Sequence, residues 1–302
     1  MNAYLDLARQ GKTGRRSFIL AIALILFTWQ VLGALPSVLL LIWVLTDGNL
    51  QTGTSTAGQF VGVEPTLSFG VPMLASILFL IGIFLAVRFV HQRPFRTLVT
   101  PARTIAWGRF FQGFSVWFVL CGLISLAEAL LYPGRYVWTL DLHRYLPFAL
   151  LALLLIPIQT SAEELFFRGY ILQCVGLRLR NIFILSAISG ILFMVPHFLN
   201  PEARINYRLM GFFYFFIGAV MAYVTLRDGR LELALGLHAA NNLYSALLAN
   251  YTVTVMPTPS VFTVKILDAV YSVSAAVFGL IVFVLIFVGP LRRRQPDQNL
   301  VG

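Results

Sequence analysis

Acidic residues are scarce in this chain: twelve Asp and Glu stand among 302 positions, and only 11% of residues are charged. Cysteine is rarer still, with Cys121 and Cys174 alone in apolar surroundings. Two isolated thiols exclude a disulfide framework and a cysteine-ligated metal cluster. There is no internal repeat and no low-complexity tract. With 59% hydrophobic residues and a mean hydropathy of +0.83, the composition excludes an ordinary soluble domain. What the chain has instead is long apolar runs.

A helix needs about 20 apolar residues to cross a hydrocarbon layer of roughly 30 Å. Eight stretches meet that need, at about 17–46, 68–90, 106–131, 146–175, 181–199, 207–226, 231–250 and 266–289. The chain therefore reads as all-α, a polytopic membrane protein with about eight transmembrane helices. Its first run is too long for the apolar region of a signal peptide and lacks a cleavage site, so it reads as an anchor span. At about 1.5 Å per residue that run overshoots a simple crossing, and a tilt or a kink near Gly33 and Pro36 is expected.

The net charge of +10 invites a nucleic-acid partner, but the placement of the cations argues for a bilayer. Of 22 Lys and Arg, sixteen fall at one set of span ends, among them Arg15, Arg16, Arg93, Arg96 and Arg227. Five lie at the other set, and Arg168 is inside the fourth span. By the positive-inside rule this places both termini in the cytoplasm, in a multi-pass protein of the cell membrane with no nucleic-acid partner. Three regions follow: residues 1–105 with two spans and a cytoplasmic loop, a helical core over 106–290, and a basic, polar tail over 291–302, expected to be disordered. The aromatic stretch GFFYFFIGAVMAY of the sixth span reads as lipid-facing or packing surface, without a cofactor role.

An ionisable group in hydrocarbon costs at least about 2.5 kcal/mol and needs an explanation. Glu163 and Glu164 are the acidic residues well inside a span, whereas Glu128, Glu232 and Asp268 sit near span ends. His197 and His238 fall in the fifth and seventh spans, with Asn242 one turn after His238. Glu164 and Arg168, four residues apart, suit an internal ion pair. Glu163 is turned about 100° away on the helix and is left over. Singly, each histidine reads as a packed, hydrogen-bonded residue. Together, a carboxylate and an imidazole can take a proton from water, and a second imidazole and a carboxamide can donate to an oxyanion.

These residues resemble the CPBP intramembrane proteases, which include the type II CAAX prenyl endopeptidases and relatives linked to bacteriocin processing and self-immunity. The family motif EExxxR stands here from Glu163 and Glu164 to Arg168, FxxxH from Phe193 to His197, and HxxxN from His238 to Asn242. The likeness covers about residues 145–250 and implies an intramembrane endopeptidase acting on a membrane-associated peptide or protein, a prenylated CAAX-type terminus among the candidates. It implies that Glu163 with His197 activates the water and that His238 with Asn242 forms the oxyanion hole. Glu164, also placed among the catalytic residues, and Arg168 hold the helices in register, while Phe193 packs below His197. It favours chemistry without a cofactor; zinc held by Glu163, His197 and His238 is the alternative.

Other readings account for less. AISG at 187–190 nearly matches a rhomboid nucleophile loop, but Ala187 replaces its first glycine, and Ser189 reads better as a packing residue beside Gly190. A proton-coupled transporter would explain buried Glu and His, yet repeated halves are not visible. A non-catalytic immunity or scaffold protein is the third alternative. One expectation conflicts with the protease reading. Counted from the cytoplasmic ends at about 1.5 Å per residue, His238 lies near 10 Å, Glu163 near 18 Å and His197 near 24 Å, where they should be level.

Overall fold

A computed structural model describes residues 2–55 and 59–289; the tail over 291–302 lies outside the described residues. The chain begins with a short helix α1 (Ala3–Asp6) and a 3₁₀ turn (Leu7–Gln10). The first apolar run is α2 (Arg15–Leu26) and α3 (Leu35–Thr46), joined by a π-wound segment, Phe27–Leu32, and a break at Gly33 and Ala34. The expected discontinuity is therefore present. Its cause is local: Thr28 donates its hydroxyl to Leu24 and Ile25 carbonyls, and a Cβ on Gly33 would come within 3.1 Å of Ala75 Cα.

The remaining runs follow the hydrophobic pattern. They are α4 (Pro65–Leu85), α5 (Trp107–Leu131), α6 (Leu142–Glu164) continuing through a π-wound Leu165–Ile171 into α7 (Leu172–Gly176), α8 (Ile182–His197), α9 (Tyr207–Asp228), α10 (Glu232–Leu247) and α11 (Ala269–Phe287). Their ends carry ordinary signals. Asn181 caps α8 by accepting from Phe183 and Ile184, Asp268 caps α11, and α9 stops at Gly229, whose φ of 73° suits glycine.

Six of these runs are long and apolar enough to cross a membrane, and α8 is a shorter apolar helix. Large apolar side chains such as Leu39, Leu150 and Phe278 stand more than half exposed on the outside, a surface suited to lipid rather than water. The helix α10 is different. It carries Glu232, His238, Asn241 and Asn242 and is enclosed by protein, packed along α5 and against α6. Glycine makes that packing close: a Cβ on Gly113 would meet the Leu233 carbonyl at 2.6 Å, and one on Gly236 would collide with Phe110 O.

Short strands, absent from the sequence reading, close one end of the bundle. Besides the ribbon of β1 (Gly53–Thr54) and β2 (Phe60–Val61), a three-stranded sheet joins β3 (Tyr136–Trp138), β4 (Ala249–Tyr251) and β5 (Phe262–Val264). Its order is β3-β5-β4, antiparallel on one side and parallel on the other. Elements of three residues leave too little alternation to be read from sequence. At the other end α1 is buried: the Tyr4 hydroxyl donates to Leu98 O at 2.6 Å and to Arg168 O at 3.1 Å. His91 is also buried, between Lys12 O at 2.6 Å and Tyr170 Oη at 2.8 Å.

Candidate active site

The adjacent glutamates at the end of α6 face different partners. Glu164, fully buried, accepts through Oε1 from Arg168 at 2.6 Å and from Nδ1 of His238 at 2.8 Å. Arg168 is equally buried, also donates to Gly218 O at 3.2 Å, and lies 4.3 Å from the centre of the Phe193 ring. The i, i+4 ion pair is thus formed, with His238 as a third member. Glu163 instead accepts through Oε1 from Gln159 at 2.5 Å. Its Oε2 is buried without a hydrogen-bond partner, 3.7 Å from Nε2 of His238.

His197 closes α8, and its Nδ1 lies 2.6 Å from Phe193 O, one turn back. A carbonyl can only accept, so Nδ1 carries the proton and Nε2 is left as the acceptor of the neutral ring. The Phe193 ring lies tilted, its centre 4.2 Å from that of His197, and edge-on to His238 at 5.9 Å, so it touches both imidazoles. Asn242 donates to Gln159 Oε1 at 3.1 Å, so Gln159 links the asparagine to Glu163. Behind it, Asn241 donates to Asn242 at 3.1 Å and accepts from Trp117 Nε1 at 3.2 Å.

Glu163, His197, His238 and Asn242 all line one cavity of about 500 Å³, together with Phe193 and Gln159. Glu164 and Arg168 lie behind its wall. The uneven depths counted along straight helices do not separate these side chains. Such counting assumes regular parallel α-helices, and the chain below Glu163 is π-wound over seven residues.

Gln159, Asn241, Trp117 and Tyr214 escaped the sequence reading. Gln159 had a signal, one helical turn before Glu163, and Asn241 stands beside Asn242. Tyr214 was hidden in the aromatic stretch; its ring lies 4.7 Å from that of His197 and it faces the same cavity. Ser189 is buried where Gly190 approaches α9 so closely that a Cβ would fall 2.6 Å from Phe215 O, a packing position. Among the described residues, no group of three His, Cys, Asp or Glu is gathered closely enough to hold a metal ion.

Residues 143–244 match the family model described as Type II CAAX prenyl endopeptidase Rce1-like, which bears out the resemblance carried by the three motifs. Over 185 residues the chain is 40% identical to the Bacillus subtilis (strain 168) protein named Uncharacterized protein YyaK. That alignment takes in 61% of this chain and 62% of the relative's length. No solved structure matches the chain.

Proposed function

From the match of residues 143–244 to the type II CAAX prenyl endopeptidase Rce1-like family, we propose that the protein is an intramembrane endopeptidase hydrolysing a peptide bond of a membrane-associated substrate. One observation carries the reading: Glu163 lines the cavity it shares with His197, His238 and Asn242, and its Oε2 makes no hydrogen bond, with His238 Nε2 3.7 Å away. An uncommitted carboxylate oxygen in such a place is suited to take a proton from water.

In the reaction, a water held at Glu163 and His197 gives a proton to Glu163 as its oxygen adds to the scissile carbonyl carbon. The carbonyl π electrons move to oxygen, and Asn242 Nδ2 and His238 Nε2 donate to the oxyanion. His238 Nδ1 is committed to Glu164, so Nε2 donates only when the ring carries both protons. That state balances two carboxylates, Glu163 and Glu164, with two cations, His238 and Arg168. When the tetrahedral intermediate collapses, the C–N bond breaks and the proton on Glu163 passes to the leaving amine. No step requires a metal. The substrate is a membrane-tethered peptide, a prenylated CAAX terminus being one candidate, and the protein works in the cell membrane with eight crossings and both termini cytoplasmic.

Glu163→Gln and His197→Ala are expected to abolish cleavage of an S-farnesylated or otherwise membrane-tethered fluorogenic peptide in vesicles, while insertion and thermal unfolding in detergent are retained. Full proteolysis by Glu163→Gln would sink the assignment. One bound metal per chain, with activity lost on chelation and restored by zinc, would point to a metalloprotease. Ion flux in vesicles without peptide cleavage would point to a transporter.

A further inference from the structure

The cavity has a charge pattern that the reaction does not use. In a chain with a net charge of +10, none of the described residues lining it is Lys or Arg, while Glu128, Glu163 and Glu202 all are lining residues. Two of these carboxylates have partners of known purpose. Glu163 serves the proposed chemistry, and Glu128 is held by Arg135 at 3.2 Å and by the Tyr136 hydroxyl at 2.8 Å.

Glu202 is the third. It sits in the 3₁₀ segment Pro201–Ile205, five residues after His197, and accepts through Oε1 from Tyr214 at 3.2 Å and Asn200 at 3.4 Å. The Tyr214 ring in turn lies tilted against that of His197 at 4.7 Å, so Glu202 is linked through Tyr214 to the proposed water-activating pair in the same cavity. Neutral donors surround it, and no Lys or Arg of the described chain pairs with it. Burial pushes its carboxyl above the ordinary range. A half-buried carboxyl without a counter-cation holds a proton or is paired by a cation that arrives with the ligand.

We propose that Glu202 is a specificity-determining residue that receives a basic side chain, Lys or Arg, flanking the scissile bond of the peptide. This rests on the protease reading. An acidic side chain brought beside Glu202 and Glu163 meets like charge, which disfavours it.

The test is a matched set of membrane-tethered fluorogenic peptides, cleaved by the full-length protein in vesicles. One residue next to the scissile bond is Lys, Gln or Glu, the peptides being otherwise identical. The Lys peptide is expected to exceed the Glu peptide by about tenfold or more in kcat/KM. Glu202→Gln, which keeps an acceptor for Tyr214, is expected to collapse the Lys-to-Glu ratio to within about twofold, and Glu202→Lys to invert it. If cleavage is robust but blind to the charge, or the Glu peptide is preferred, the inference falls and the protease reading stands. If no peptide of the set is cleaved by the unaltered protein, both fall. A Lys preference that survives unchanged in Glu202→Gln overturns the role of this residue alone.

Discussion

Nδ1 of His238 lies 2.8 Å from Oε1 of Glu164, the same oxygen that Arg168 reaches at 2.6 Å. One buried carboxylate oxygen therefore joins the helices of two motifs and fixes which nitrogen of His238 faces the cavity. A salt bridge that sequence spacing presents as local becomes the anchor of the site.

Because Glu164 and Arg168 are both fully buried, losing one leaves the other charge uncompensated. Glu164→Leu is expected to cost about 3–5 kcal/mol of stability, and the double variant Glu164→Leu with Arg168→Met to recover most of it. Activity should not return in the double variant, since His238 Nδ1 has lost its acceptor. Thermal unfolding in detergent and peptide cleavage measured on the same preparations separate the two effects.

In the proposed reaction Asn242 is an oxyanion donor, and Gln159, which accepts from its Nδ2, positions it. Asn242→Ala is expected to lower kcat by about 10²–10³-fold with little change in KM. Gln159→Ala should give a smaller loss in kcat, because Glu163 and Asn242 both survive without their shared partner. A rise in KM alone for Asn242→Ala would assign it to substrate binding instead.

Tyr4 lies far from Arg168 in sequence yet binds its carbonyl and that of Leu98. Tyr4→Phe removes one buried hydroxyl from two acceptors and is expected to cost about 1–3 kcal/mol. Cleavage should fall as well, because the Arg168 carbonyl belongs to the π-wound continuation of the helix that carries Glu163. Normal stability and normal kcat in Tyr4→Phe would show that the N-terminal segment is not coupled to the site.

Burial, and to a lesser extent the nearby Arg93 guanidinium, holds the His91 imidazole below its ordinary pKa. The unfolded chain then takes up this proton at a higher pH, near 6.5, than the folded protein does. Stability from His91 is fully present above that value and declines as pH falls through it toward the lowered folded value. Unfolding midpoints compared over this range should show a steeper acid loss for the unaltered protein than for His91→Gln. Parallel curves would refute the assignment.

Much of the fold was legible because lipid and α-helix impose simple periodic demands. Each of the eight apolar stretches contains a helix, and the break at Gly33 and Ala34 falls on the glycine and beside the proline that suggested it. The three motifs were legible because charge and imidazole in apolar sequence are conspicuous. Gln159 and Asn241 were not, since single amides within helices have many ordinary roles. The short sheet and buried α1 were equally silent: each consists of too few residues to carry a period.

By itself the sequence determined that the chain is helical and membrane-embedded and that Glu163, Glu164, Arg168, His197, His238 and Asn242 are its unusual intramembrane polar residues. Only the tertiary structure decided that Glu164 is shared by Arg168 and His238, that Glu163 is left facing the cavity, and that Glu202 and Tyr214 stand on the same wall. The physical reason lies in range. Hydrophobicity and i, i+4 pairing act within one helix, whereas the acceptor a buried donor finds depends on how closely glycines such as Gly236 let separate helices approach.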